Sequence, residues 1–222
     1  TRTTAAYREA ARFVVDRQPK TIIISTPHSV MYQDYIHISP GDGAKGNFGR
    51  FGAPEAALEV SYDKAFVTAL SLLAAVRGFP AGTEGEKSRE LDHAALVPLW
   101  FLKEAAGGTL PFQVVRIGLS GLASEEHYRL GMMIQETADK LDRRVCFVAS
   151  GDLSHYLKQD GPYGYREQGP KYDGQLMDIM GRGAFDELLA LPEALCEAAG
   201  ECGQRSFLMM AGALDGRAVK AR

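Results

Sequence analysis

The sequence predicts an α/β protein with a central, mainly parallel (mixed) sheet enclosed by helices in a three-layer α/β/α arrangement. Three observations carry that expectation. Two short apolar runs without polar alternation, Thr21-Ile22-Ile23-Ile24-Ser25 and Val145-Cys146-Phe147-Val148-Ala149, suit strands buried on both faces. Amphipathic segments of helical period lie between them. Strands and helices alternate along the chain, the pattern of layered α/β folds.

The elements follow in order. Ala5 to Asp16 sets Ala6, Ala10, Phe13 and Val14 at helical spacing and stops before Pro19-Lys20. The first buried strand runs into Thr26-Pro27-His28-Ser29, and a second is expected at Tyr35 to Ile38. Gly41 to Pro54, rich in glycine with Phe48 and Phe51 interleaved, reads as a loop; it lacks the Gly-Lys-Ser/Thr ending of a phosphate cradle. A helix is expected from about Tyr62 to Val76, an exposed loop over Gly82 to Arg89, and a helix from Leu96 to Ala105 entered just after His93. Phe112 to Leu119 reads as a strand and Ser124 to Leu141 as an amphipathic helix. Beyond the Val145–Ala149 strand, Tyr172 to Ala190 is helical with a Gly-Arg-Gly break, Pro192 to Ala199 is a short helix, and Gln204 to Leu214 is a last, apolar one. No internal repeat, low-complexity stretch or interdomain linker interrupts this series, so residues 1–222 are expected to form one domain.

Composition narrows the function. Hydrophobic residues at 45% and charged residues at 24% are the balance of a globular protein. A net charge of −3 with scattered lysines and arginines provides no field for nucleic acid or an anionic membrane. No apolar run approaches the ~20 residues that cross a bilayer. The three cysteines, Cys146, Cys196 and Cys202, form no CxxC pair, which argues for a reducing compartment; the expected location is cytoplasmic.

Chemistry is concentrated in few places. Of five histidines, His28 and His155 lie just beyond buried strands, where open α/β sheets bind ligands, and imidazole is the commonest metal-ligating side chain near neutral pH. His93 stands at the mouth of a helix in Leu91-Asp92-His93, where Asp92 could cap the helix and the imidazole could face a substrate. Asp152, three residues before His155, could orient its ring or serve as a turn residue. Glu201-Cys202-Gly203 precedes the final helix: a carboxylate there would complete a two-histidine, one-carboxylate Fe(II) site, and a thiolate would favour softer metals. His37, inside a strand, and His127, in the first turn of a helix, read as surface or packing residues.

Taken in order, Thr26-Pro27-His28, Leu91-Asp92-His93 with Val97-Pro98-Leu99, Ser150-Gly151-Asp152-Leu153-Ser154-His155, and Gly200-Glu201-Cys202-Gly203 resemble the LigB-type catalytic subunits of class III extradiol ring-cleavage dioxygenases and the related Memo proteins. With the Gly161-Pro162-Tyr163-Gly164-Tyr165 loop, the match is nearest the dioxygenase-like domain of AmmeMemoRadiSam system protein A. The resemblance implies a LigB/Memo-like fold and a non-haem-iron oxygenase using Fe(II), with Zn or Cu as alternatives, that takes O2 and a catechol-like aromatic substrate. It implies His28 as a metal ligand, His155 as an acid/base or a ligand, His93 as a substrate-facing residue, and Glu201 or Cys202 as the ligand before the last helix. Counting back from Ala211-Gly212-Ala213 favours Cys202, where an iron dioxygenase would carry Glu. The cysteine leaves open a Memo-like metal-binding or interaction module that partners a radical SAM protein without cleaving rings. A homo-oligomer is compatible with either. The family's first ligand histidine lies in an N-terminal strand upstream of this start, so the chain is expected to lack that strand and any following C-terminal domain.

Overall fold

The computed structural model describes residues 1–221. The chain forms two compact units: residues 1–122 with 136–150, and residues 123–135 with 151–222.

The first unit holds a central parallel sheet in the order β6-β1-β7, made of β1 (Thr21–Thr26), β6 (Gln113–Gly118) and β7 (Val145–Ala149). Strand β1 lies in the middle, with Thr21 opposite both Gln113 and Val145. Every β1 residue is buried, which explains its unbroken apolar character: Ile22, Ile23 and Ile24 have no exposed surface, and each contributes about 1.5–3 kcal/mol by leaving water. Helices α1 (Arg2–Asp16) and α3 (His93–Ala105) pack together, with Tyr7 stacked on Phe101 at 4.9 Å. Ala11, Leu96 and Leu99 meet Ile22, Ile24 and Val114 in one core. Helix α2 (Lys64–Val76) is capped by Asp63, whose carboxylate accepts from Phe66 N–H and from the Thr21 hydroxyl at 2.5 Å.

The sequence and the structure part ways at Gly41 to Pro54. Here β3 (Gly43–Phe48) and β4 (Ala53–Ser61) form an antiparallel hairpin around a 3-10 turn at Gly49–Phe51. The glycines are there for close approach rather than flexibility. A Cβ on Gly43 would lie 2.0 Å from Val60 O, and one on Gly46 would lie 2.7 Å from Leu91 O. Strand β2 (Ile36–His37) falls within its expected span and pairs with β5 (Ala81–Gly82).

The second unit is helical. It contains residues 124–135 of α4 (Ser124–Lys140), then α5 (Gln168–Arg182), α6 (Glu193–Ala199) and α7 (Gln204–Ala213). Helix α5 begins before the expected Tyr172 because Pro170 falls in its first turn, where no N–H is needed. It stops at Gly183 in a left-handed conformation, and residues Phe185–Ala190 continue as a 3-10 segment. The α/β class and the mainly parallel central sheet agree with the expected three-layer arrangement.

Candidate functional site

In the first unit, two of the sequence motifs are tied together by one hydroxyl. Thr26 Oγ1 donates to Asp92 Oδ1 at 2.6 Å and accepts from His28 N–H at 3.2 Å. Asp92 also caps α3 by accepting from Ala95 N–H at 3.1 Å. The helix therefore opens on His93, and its ring lies 4.3 Å from that of His28, centroid to centroid. Both line a cavity of about 400 Å³ together with Phe51, Glu90, Asp92 and Arg116.

Arg116 is the residue sequence reasoning passed over. It sits mid-strand in β6, almost wholly buried, and donates to Ser39 Oγ at 2.8 Å, Glu90 O at 2.7 Å and Ser88 O at 3.0 Å. Glu86 faces the guanidinium at 3.5 Å. The available signal was a charge inside the run Val114-Val115-Arg116-Ile117, since arginine is almost never buried unpaired.

The α3 motif has its own local logic. Pro98 lies inside the helix and has no N–H to offer Ala94 O. Ser150 supplies the missing donor: its hydroxyl reaches Ala94 O at 2.7 Å.

In the second unit, Asp152, His155 and Cys202 bring one oxygen, one nitrogen and one sulfur donor within 4.8 Å of one another. Backbone pairing sets this up. Cys202 N–H donates to Asp152 O at 3.2 Å, and Asp152 N–H donates to Cys202 Sγ at 3.1 Å. The two segments fit because Gly151 and Gly203 lack side chains; a Cβ on Gly151 would be 2.3 Å from Gly203 Cα. His155 Nε2 lies 3.2 Å from Asp152 Oδ2, and its ring lies against Tyr163 at 5.0 Å. Burial pushes the Cys202 thiol above its usual pKa, while the Asp152 N–H on sulfur pulls it down. Three donors of this kind fit a divalent transition metal with open positions.

Glu201 is turned elsewhere. Its carboxylate accepts from Gln204 N–H at 2.5 Å at the start of α7, and burial raises its pKa. The remaining histidines are interior residues. His37 has no exposed surface, and burial lowers its pKa. His127 is likewise enclosed, with Nδ1 3.1 Å from Ala123 O and a pKa lowered to about 4 by burial. Among the described residues, no helix is long and apolar enough to cross a membrane.

Comparison with known proteins fits this picture. A Clostridium acetobutylicum protein is 33% identical over 98% of this chain and 47% of its own length. A 2,3-dihydroxyphenylpropionate/2,3-dihydroxicinnamic acid 1,2-dioxygenase from Rhodococcus sp. is 29% identical over 68% of this chain and 48% of its own. The chain thus spans about half the length of the curated relatives it matches. The solved structure of an uncharacterized protein from Escherichia coli K12 aligns with a TM-score of 0.60 at 14% identity, covering 95% of this chain and 83% of that one, a likeness of fold alone. The family model for the catalytic LigB subunit of aromatic ring-opening dioxygenase matches residues 1–222. The chain belongs to that LigB family.

Proposed function

We propose that this chain is the catalytic part of a non-haem-iron, extradiol-type dioxygenase-like protein acting on a catechol-like aromatic substrate with O2. The observation that carries the proposal is the Asp152–His155–Cys202 cluster, which sets a carboxylate-held imidazole beside a sulfur of the kind that ligates metals. Family membership and the Rhodococcus dioxygenase support the reaction class. When bound, Fe(II) would supply the redox chemistry that O2 requires.

The residues supply the rest. Asp152 engages His155 at Nε2, which leaves Nδ1 to accept a proton from a substrate hydroxyl and return it later. Asp152 is exposed, so its worth lies in holding the ring rather than in stability. Cys202 is the ligand proposed before the last helix, and Glu201 is the alternative. His28 is proposed as a ligand from the resemblance, and His93 as the residue that holds a substrate oxygen in the 400 Å³ pocket of the first unit.

The test uses full-length protein reconstituted with Fe(II) under anaerobic conditions. The expected result is about one iron per chain and O2 uptake with catechol. No iron and no uptake refute the proposal. His155→Ala should keep iron and lose uptake, whereas Cys202→Ala should lose iron.

A second reading has one observation in its favour: the residue before the last helix that joins Asp152 and His155 in the cluster is a thiol, Cys202, where an iron dioxygenase carries a carboxylate. In it the chain is a Memo-like metal module that partners a radical SAM protein, with His155, Cys202 and Asp152 all as ligands. His155→Ala would then lose metal along with Cys202→Ala, and robust ring cleavage would exclude this reading.

A further inference from the structure

The first unit carries a second cavity that the proposed chemistry does not use. Its volume is about 380 Å³, and Phe48, Phe51, Ala56, Val97, Trp100 and Phe101 form most of its wall. It is nearly free of polar groups, so it suits neither a charged nor a hydroxylated ligand. Its relation to the His28–His93 pocket is given by one residue, for Phe51 lines both cavities.

The ring contacts run without a break from one to the other. His28 touches His93 at 4.3 Å, Phe51 meets His93 edge-on at 5.6 Å, Phe48 follows at 6.4 Å, and Trp100 meets Phe48 edge-on at 6.0 Å. Phe51 is 64% exposed, at the 3-10 turn of the β3–β4 hairpin, and is followed by Gly52 at φ +82°. An aromatic side chain left in solvent between two cavities gains burial only when something occupies them.

We infer that the second cavity is a subsite for an aryl or branched alkyl substituent of the molecule whose polar part binds beside His28 and His93, with Phe51 as the specificity-determining residue between the two. The inference rests on the reading above that the His28–His93 pocket takes the substrate. It narrows the substrate class to catechol-like rings bearing a substantial apolar group, with bare catechol a poor ligand.

Trp100 provides the probe, because it is the single tryptophan of the chain and stands in the cavity wall. Full-length protein is titrated anaerobically with catechol and with 4-phenylcatechol, following tryptophan fluorescence and heat of binding. The expected result is that the phenyl compound binds on the order of tenfold or more tighter and changes Trp100 emission, while catechol leaves emission unaltered. Ala56→Phe, which fills the cavity from a strand position that accepts aromatics, should bring the affinity ratio back towards one with the circular dichroism spectrum retained. Equal affinities within twofold, or tight phenylcatechol binding with unaltered Trp100 emission, overturn the subsite even if catechol supports O2 uptake. Failure of both catechol and 4-phenylcatechol to bind and to support uptake overturns the functional reading and the subsite with it. Emission changes that appear only with protein concentration would assign the cavity to a second copy of the chain and overturn the inference.

Discussion

Replacing Arg116 by methionine is the sharpest test of what holds the first pocket together. The guanidinium is 2% exposed and makes three hydrogen bonds, to Ser39 Oγ, Glu90 O and Ser88 O, besides facing Glu86 at 3.5 Å. Methionine keeps much of the volume but removes every donor, stranding two carbonyls, a hydroxyl and a carboxylate. Hydrogen bonds to a charged group contribute about 1.5–3 kcal/mol each, and they are not additive because one side chain makes all three. Removing one member of a buried ion pair costs about 3–5 kcal/mol. Residues Ser88 and Glu90 also line the open cavity, where water can reach part of what is stranded, so the loss is placed within about 3–5 kcal/mol rather than above it. For a chain of this size that lowers Tm by roughly 6–20 °C. Urea unfolding followed by Trp100 fluorescence reads the same unit, because Trp100 lies in α3. A double-mutant cycle with Glu86→Gln should give a coupling of about 1 kcal/mol or more. A loss below about 1 kcal/mol would refute the reasoning, since it would mean that solvent already satisfies these groups when the arginine is gone.

Three further outcomes are expected. Ser150→Ala removes the hydroxyl donor to Ala94 O opposite Pro98 and should cost about 1–3 kcal/mol in urea unfolding; Pro98→Ala in the same background should restore part of it, because the helix then provides its own N–H. Gly151→Ala forces a Cβ to 2.3 Å from Gly203 Cα and 2.9 Å from Cys202 O, so the Asp152–Cys202 backbone pair should open and iron binding should fall well before secondary structure is lost; unchanged metal stoichiometry would count against the cluster as a metal site. His127 is buried with a pKa of about 4 against an ordinary 6.5, so the unfolded chain takes up a proton first. Stability from this group is full above pH 6.5 and declines as pH falls towards 4, by about 3 kcal/mol; His127→Gln should flatten that slope in denaturation measured between pH 7 and 4.

Much of the fold was legible because its strands are extreme. Strand β1 is buried on all sides, so its sequence has no polar interruption and reads unambiguously. The helices of the second half were found for a similar reason, with boundaries shifted by more than one residue only where Pro170 sits in a first turn and where Gly183 ends α5. The hairpin of β3 and β4 was missed because its glycines serve strand packing. Gly43 and Gly46 stand where Val60 O and Leu91 O come too close for any Cβ, and in a single sequence that need looks the same as a flexible loop.

The site shows a different division. Its motifs were visible, yet the structure explains them as pairs that one-dimensional reading keeps apart. Thr26 matters through Asp92, 66 residues away, and Pro98 is tolerated through Ser150, 52 positions on, whose hydroxyl takes over the acceptor the proline leaves idle. Likewise Glu201 and Cys202 were indistinguishable by spacing, since adjacent residues before a helix can both reach forward. The backbone separates them. Glu201 folds onto Gln204 N–H to start α7, while the exchange of hydrogen bonds with Asp152 turns the Cys202 sulfur toward His155. In the proposed site the donor is therefore set by the Gly151–Gly203 approach and not by the chemistry of the donor itself. It follows that Cys202→Glu alone should not rebuild a carboxylate ligand of ordinary strength: the longer side chain gives up the bond from Asp152 N–H that fixes the sulfur, and about 1–3 kcal/mol of that donor's desolvation would oppose metal binding. Iron affinity in Cys202→Glu equal to or above that of the parent chain would show that the glycine approach does not set the geometry.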